Sequence, residues 1–234
     1  MGIATMISYS FHFVMITALC LSIKELKKSF FLITKESISE GITEYLKIGI
    51  PSAAMLCLEW GGLEILALIA SAISVDATGA QIIALNFFIV VLMIPFGGQV
   101  GSTVCVGKAM GEGDSKKART FIKIASVFML IVDFISAFII VVYKDWILRL
   151  FTNSEILLKY VGSTVNTMAI LLIFDGAQLI LAGALRGLGM QSTATFVVIC
   201  SQYIIALPAS YIFAISLEQG IKGIWQALIL GNIA

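Results

Sequence analysis

Four acidic side chains of this 234-residue chain lie within apolar stretches: Glu59, Glu64, Asp133 and Asp175. All other acidic residues lie in or beside polar segments. A carboxylate at the centre of a membrane helix costs about 2.5–3.5 kcal/mol on insertion scales, so an intramembrane acid indicates a functional site by default. Because burial penalises the charged form of a carboxyl group, such an acid can bind and release a proton. The chemistry expected of these residues is proton or cation binding inside a bilayer.

The spacing of these acids predicts which of them act together. Glu59 and Glu64 are five residues apart, which separates them by about 140° around a helix. They therefore do not share one face. Glu59 lies eight residues after Pro51, which is expected in the first turn of its span, and this places Glu59 near mid-membrane. Asp175 precedes Gln178 by three residues, so the two share a face and form a pair that can coordinate a cation or line a pathway.

The other polar residues of the apolar spans are interpreted more conservatively. Asp133 has no polar companion, and a hydrogen bond between helices and a role in transport both stay open for it. No intramembrane Lys or Arg is expected to pair with the four acids, which argues against structural salt bridges. The remaining polar span residues are assigned to interhelical or local hydrogen bonds: His12, Asn86, Gln99, Asn166 and Gln202.

The elements that position these residues follow from composition. The chain is 59% hydrophobic and only 12% charged, with a mean hydropathy of +1.03, whereas soluble domains are about 25% charged. An apolar run needs roughly 20 residues to cross a bilayer. Such runs cover 2–23, 48–73, 80–105, 121–143, 157–183 and 193–216, and an incomplete one begins near 221. The prediction is an all-α, polytopic membrane protein with about seven helices, and the incomplete run suggests a partial chain.

Charge patterning predicts the orientation of the spans. Five Lys or Arg residues lie between the first and second spans, five between the third and fourth, and one between the fifth and sixth, against four on the opposite side. By the positive-inside rule the first group of loops is cytoplasmic. Within the loop 24–47, residues 34–47 have apolar positions at helical spacing, which predicts an amphipathic surface helix. A solvated linker is the alternative.

Several other functions are disfavoured. Lys residues follow the first span instead of preceding it, so it is not a signal peptide. The four cysteines lie in apolar spans and suggest no disulfide or metal framework. Glycine-rich segments at 97–101, 107–113 and 183–189 favour close helix packing. No strand precedes them and no Walker Lys-Ser/Thr follows, so nucleotide binding is not expected. No nucleophile or metal-ligand constellation indicates an enzyme, and no feature indicates a nucleic-acid partner.

The sequence resembles the multidrug and toxic compound extrusion (MATE) family, eukaryotic type. The resemblance rests on segments spread over nearly the whole chain in the family's order: 50–60 with Glu59, 62–65 with Glu64, 93–95, 106–114 with 118–119, 175–178, 182–187 and 223–225. It implies two six-helix lobes around a central cavity. Residues 1–23 then correspond to the last helix of the first lobe, 24–47 to the interlobe loop, and 48–234 to a second lobe truncated in its last helix. The missing first lobe is expected in the same full-length chain.

The resemblance also implies a function and its residues. Family members are secondary antiporters that export organic cations and other toxins in exchange for H⁺ or Na⁺, without a cofactor. The cation or proton site maps to Glu59 and Asp175, with Glu64 as an additional acid and Na⁺ as a second candidate at the first two. Further candidates for the pathway or substrate lining are Gln178, Asn86, Trp60 and Asp133. Membrane lipids and small organic cations or xenobiotics are the expected partners, in the plasma membrane or a vacuolar or other internal membrane.

Two departures from the family pattern and two rival functions accompany this interpretation. Asn86 stands where animal members often carry Glu, and Gly61-Gly62 replaces bulkier residues after Trp60, which predicts a different substrate shape. One rival is a truncated fragment that does not transport. The other is a lipid-linked oligosaccharide flippase of the same superfamily, for which an Arg-rich cavity is expected.

Overall fold

The computed structural model describes residues 2–27 and 41–233, and every regular element in that part of the chain is helical. The all-α prediction is therefore confirmed. Two π-helical segments, Ile199–Ala206 and Ile212–Ser216, adjoin α9. The helices are α1 (Gly2–Ser22), α2 (Lys24–Lys27), α3 (Ile42–Ser71), α4 (Val75–Gly111), α5 (Ser115–Val142), α6 (Lys144–Leu148), α7 (Glu155–Gly187), α8 (Gln191–Val198), α9 (Leu207–Tyr211) and α10 (Ile221–Ile233).

Six helical stretches in the described part of the chain are long and apolar enough to cross a membrane: Gly2–Ser22, Tyr45–Ser71, Val75–Gly111, Ser115–Val142, Glu155–Gly187 and Gln191–Ser216. The last of these combines α8, α9 and both π-helical segments. α10 has 13 residues, which is too short to cross. α4 and α7 extend beyond their apolar runs at both ends, because backbone hydrogen bonding continues outside the hydrocarbon layer.

The chain divides into two compact units, residues 1–47 and 48–234. In the first unit, α1 buries no residue. The first half of the predicted amphipathic helix over 34–47, residues 34–40, lies outside the described residues. Residues 42–47 form the first turns of α3. Pro51 is consequently an interior residue of α3, so its expected place in the first turn is wrong: the helix begins in the polar segment, ahead of the apolar run.

The core of the second unit lies between α3, α4, α7 and α10. Leu66, Phe88 and Leu172 are buried there with Trp225, which is fully buried. The rings of Phe88 and Trp225 meet edge to face at 5.1 Å. The indole Nε1 of Trp225 donates a hydrogen bond to the side-chain oxygen of Gln81, at 3.1 Å. These contacts hold α10 against α4 although α10 is short.

Glycines bring α4 and α7 into close contact. A Cβ at Gly183 would strike the carbonyl oxygen of Gln99, and a Cβ at Gly187 would lie 2.7 Å from the carbonyl oxygen of Thr103. The Thr103 hydroxyl donates to the carbonyl oxygen of Gly183, at 2.9 Å. Small residues four apart permit this approach of membrane helices, so the predicted packing role of these glycines is confirmed.

Pro95 and Pro208 lie within apolar spans, where the sequence predicts that each breaks the backbone hydrogen-bond ladder, and the structure treats them differently. α4 continues through Pro95 without ending. Pro208 lies in α9, between the two π-helical segments, where the Leu207 N–H donates to the carbonyl oxygen of Gln202, five residues earlier. Proline cannot donate a backbone hydrogen bond, and π-helical turns are frequent at functional sites. The backbone around Gln202 therefore departs from regular α-helical hydrogen bonding.

Candidate functional site

A cavity of about 480 Å³ lies in the second unit, between α3, α4, α7, α10 and the segment 194–206. Four aromatic rings line it: Trp60, Phe88, Phe96 and Phe174. Its polar lining consists of Glu59, Asp175, Gln178, Ser201, Gln202 and Asn232. Apolar walls with a few convergent polar groups are typical of small-molecule sites.

Glu59 is ion-paired at the cavity wall. A guanidinium nitrogen of Arg186, Nη2, donates to its carboxylate oxygen Oε1 at 3.3 Å. The Arg186 and Glu59 side chains are 18% and 22% exposed. The expectation that no Lys or Arg pairs with the intramembrane acids is therefore wrong. Arg186 belongs to the last turn of α7, because that helix continues to Gly187, and its long side chain reaches α3 from there.

Asp175 has a different partner. The side-chain amide nitrogen of Asn232, on α10, donates to a carboxyl oxygen of Asp175. Gln178 lines the same cavity, as its three-residue spacing from Asp175 predicts. An amide donor at a carboxyl group leaves the second oxygen available for a proton, a cation or a substrate donor.

Glu59 and Asp175 lie at different levels along the axis of α7. Asp175 and Arg186 are eleven residues apart, which returns to the same face within about 20° and advances about 16 Å along the helix axis. Glu59 therefore contacts the end of α7, while Asp175 extends from its interior. The cavity follows α7 from Leu171 to Leu185. It thus offers two separate carboxyl positions along one path.

Trp60 is the third predicted residue at the cavity. The residue is 47% exposed and follows Glu59 directly in α3. An indole face attracts a cation through its quadrupole. The structure therefore brings together Glu59, Trp60, Asp175 and Gln178 around one cavity.

Three other predicted residues lie outside the cavity lining. Glu64 is exposed on α3. Asn86 is exposed, and its amide nitrogen donates to the carbonyl oxygen of Ile82, in its own helix, at 2.9 Å. Asp133 is fully buried, and a Cβ at Gly176 of α7 would collide with its carboxyl group. The carboxyl of Asp133 thus lies between α5 and α7.

Sequence reasoning missed Arg186, Gln202 and Asn232. The eleven-residue spacing from Asp175 was a usable signal for Arg186, because it puts both on one helical face. Asn232 is a polar side chain near the end of α10, six residues after Gln226. Gln202 was assigned to packing, and no local pattern distinguishes a packing amide from a cavity amide.

The structure explains why glycines occupy positions 61 and 62, which the sequence did not suggest. A Cβ at Gly62 would lie 2.6 Å from the amide nitrogen of Gln202, and one at Gly61 would lie 3.1 Å from the Tyr203 hydroxyl. That hydroxyl donates to the carbonyl oxygen of Leu58 at 2.9 Å. The glycines therefore admit the π-helical segment Ile199–Ala206 against α3, which positions Gln202 at the cavity.

Within residues 2–27 and 41–233, no group of three or more His, Cys, Asp or Glu side chains converges on one point. Carboxylate and amide oxygens at the cavity are nevertheless ligands of the kind that hard cations prefer. The arrangement can therefore exchange protons or bind a cation at Glu59 and Asp175, and it can hold an aromatic or apolar ligand body against its walls.

Comparison with known proteins agrees with the resemblance. The MatE family model matches residues 51–212. Multidrug and toxin extrusion protein 1 of Homo sapiens is 31% identical over 192 residues, which cover 81% of this chain and 33% of that protein. Protein DETOXIFICATION 14 of Arabidopsis thaliana is 26% identical over 84% of this chain and 41% of its own length. The chain thus spans about a third to two fifths of these relatives.

Solved structures show the same fold. The crystal structure of the eukaryotic MATE transporter AtDTX14 superposes with a TM-score of 0.85 at 25% identity, over 94% of this chain and 49% of that one. A MATE structure in the straight conformation superposes with a TM-score of 0.76 at 18% identity, over 87% and 45%. At that identity the second likeness shows the fold alone.

These findings confirm a MATE-type helical fold and a multi-pass integral membrane protein from a transporter family, not an enzyme family. The membrane in which the protein resides stays a prediction. Since the family model covers more than half of the chain, the chain belongs to the MatE family.

Proposed function

We propose that the protein is a secondary active antiporter that exports organic cations, drugs or toxins in exchange for H⁺, by alternating access. The observation that carries this proposal is one cavity lined by two carboxyl groups, Glu59 and Asp175, and four aromatic rings. Acidic groups attract a positive charge, and the aromatic and apolar walls bind the rest of an amphipathic cation. The names of the relatives, multidrug and toxin extrusion proteins, support the substrate class.

Exchange follows from competition for the carboxyl groups. A proton on Glu59 or Asp175 removes the charge that a cationic substrate needs, so the two ligands oppose each other's binding. A ligand shifts the facing of the cavity only by its difference in affinity for the two facings. Antiport then results when the protonated and the substrate-bound forms favour opposite facings.

Arg186 adds a third competitor at Glu59. In this structure its guanidinium pairs with the Glu59 carboxylate at 3.3 Å. A proton on Glu59 removes the attraction, and a bound cation replaces the guanidinium. The ion pair avoids leaving a bare charge on Glu59 in a medium of low polarity.

Na⁺ is the alternative coupling ion, at the same two acids. It requires several oxygen ligands, and the carboxyl and amide oxygens of Asp175, Gln178 and Asn232 supply that chemistry. Glu64 lies outside the cavity lining, so its assignment rests on the resemblance. We expect Glu64→Gln to affect transport less than Glu59→Gln.

The test is efflux from vesicles that contain the purified full-length protein. An inward-directed proton gradient is expected to drive export of a fluorescent organic cation, and a Na⁺ gradient at constant pH tests the alternative ion. Glu59→Gln and Asp175→Asn should each lower the rate at least about tenfold, equivalent to about 1.4 kcal/mol. Glu155→Gln is the matched control, because it breaks the exposed pair with Arg149 at a similar distance, 3.2 Å. Unchanged efflux in both cavity variants would sink the proposal.

The rival functions have their own discriminating observations. A flippase for oligosaccharide lipids was expected to have an Arg-rich cavity, and no Lys or Arg lines the cavity in the described part of the chain. A fragment that does not transport would show no gradient-driven efflux in the wild type, so it is separated by the same assay before any variant is made.

A further inference from the structure

Asp133 is a buried acid that the proposed antiport does not use. Its side chain is fully buried in α5, and neither carboxyl oxygen has a hydrogen-bond partner among the described residues. Gly176 of α7 lies directly against it, because a Cβ there would collide with the carboxyl group. The missing side chain of Gly176 makes the space that this carboxyl group occupies.

This burial decides the protonation state. An ionised carboxylate without donors or a counter-charge is far more costly to bury than a neutral acid, so such a group takes up a proton instead. The basic residues of α5 are Lys116, Lys117, Arg119 and Lys123, the last of them ten residues before Asp133, which is about 15 Å along the helix. α5 itself therefore supplies no counter-charge.

Neighbouring elements supply no counter-charge in contact either. The titratable or charged residues of the helices packed on α5 are Asp76, Cys105 and Lys108 of α4, Lys144 and Asp145 of α6, and Glu155, Lys159, Tyr160, Asp175 and Arg186 of α7. Among these, Asp175 adjoins Gly176 in sequence. It is itself an acid, so it supplies no counter-charge to Asp133.

We propose that Asp133 is a proton-binding site outside the cavity, whose carboxyl group holds a proton while α5 and α7 pack as in this structure. A proton from water forms an O–H bond at one carboxylate oxygen, and no other bond changes. A metal ion is not the occupant that the geometry favours, because it needs several oxygen ligands and no such cluster exists among the described residues. The Asp133 carboxyl group, on α5, lies against the side of α7 that faces α5. Asp175 of α7 lines the cavity instead.

One consequence links this site to helix movement. The Asp133 proton is released only when α5 and α7 separate enough to admit water or a donor. Ionisation then opposes return to the present packing. Asp175 of α7 lines the cavity, and Asp133 of α5 lies against the next α7 residue, Gly176. The two acids thus respond to different events: ligand binding for Asp175 and helix packing for Asp133.

Infrared spectroscopy of the purified full-length protein tests the site without any transport assay, so its outcome is independent of the antiport proposal. The wild type at neutral pH should show the carbonyl band of a protonated carboxyl group, shifted in D₂O. Asp133→Asn has the shape of the neutral acid without its proton, and it should lose the intensity of one carboxyl group. Asp76→Asn, at an exposed acid, should leave the band unchanged. An identical band in folded Asp133→Asn protein and wild type overturns the proposal.

Thermal melting gives a second, independent arm. Protonated Asp133 fits its site and ionised Asp133 does not, so the melting temperature of the wild type should fall relative to Asp133→Asn as pH rises from about 5 to about 9. The expected difference is about 2–4 °C or more at the alkaline end. Asp133→Leu should also fold, because a neutral, unpartnered acid tolerates an apolar replacement. A pH-independent difference, or loss of the fold in both variants, contradicts a neutral Asp133.

Discussion

The guanidinium of Arg186 lies 3.3 Å from the carboxylate of Glu59, so the acid expected to carry ions is held by a base of the same unit. Both side chains are largely buried, although 127 residues separate them in the chain. The Glu59 carboxylate is therefore paired with a cation of the protein itself, which another cation or a proton can displace. Any ligand of Glu59 competes with Arg186.

The first prediction concerns the stability that this pair contributes. Arg186→Gln leaves the Glu59 charge without its partner, so the free energy of unfolding should fall by about 1–3 kcal/mol. Arg149→Gln breaks an exposed pair of similar geometry and should change it by less than about 0.5 kcal/mol. Melting curves of the purified protein measure both. Equal shifts in the two variants would show that burial adds nothing to the Glu59 pair.

The second prediction concerns cation affinity. Arg186→Gln removes the competitor of the ligand, so a monovalent organic cation should bind about fivefold more tightly, equivalent to about 1 kcal/mol. Fluorescence titration of the purified protein at constant pH and salt checks it. Adding Glu59→Gln to the same variant should abolish the gain, because the competed carboxylate is then absent. A gain that persists in the double variant contradicts the competition.

The third prediction concerns the Asn232 amide. Asn232→Ala removes the donor to Asp175 and leaves that carboxyl free to rotate, so the apparent affinity for the exported cation should weaken about threefold to tenfold. A hydrogen bond to a charged group contributes about 1.5–3 kcal/mol at most. Asn166→Ala is the matched control, since Asn166 is exposed on α7 and outside the cavity lining. Concentration-dependent efflux rates distinguish the two, and similar affinities would refute a role for Asn232.

The fourth prediction concerns the close approach of α4 and α7. Gly183→Ala forces a methyl group onto the Gln99 carbonyl oxygen, and overpacking of this kind costs about 1–3 kcal/mol. Gly101→Ala has nothing within 4 Å of the new methyl group and should be neutral or stabilise the helix by up to about 1 kcal/mol. The melting temperature should therefore fall in Gly183→Ala and stay unchanged or rise in Gly101→Ala. Equal values would place α4 and α7 farther apart than in this structure.

The sequence by itself determined the class of protein, the number of long helices, the family and two cavity acids. Apolar runs and charge counts are local properties, since a bilayer imposes its thickness on each helix separately. The Gly-rich segments predicted close helix packing, because small residues four apart make one surface, but they did not predict which helices would meet. Asp175 and Gln178 were paired correctly by helical spacing alone.

Only the tertiary structure decided what each acid contacts. Arg186 reaches Glu59 because α7 is longer than its apolar run, and Asn232 reaches Asp175 across 57 residues because Trp225 anchors α10. Glu64 and Asp133 have the same residue types as the cavity acids, yet one is exposed and the other lies behind Gly176. Helical periodicity predicts on which face of its helix a residue lies. The packing of the helices decides whether that face contacts a cavity, a basic side chain or a glycine. That packing depends on contacts between distant segments, which no local pattern contains.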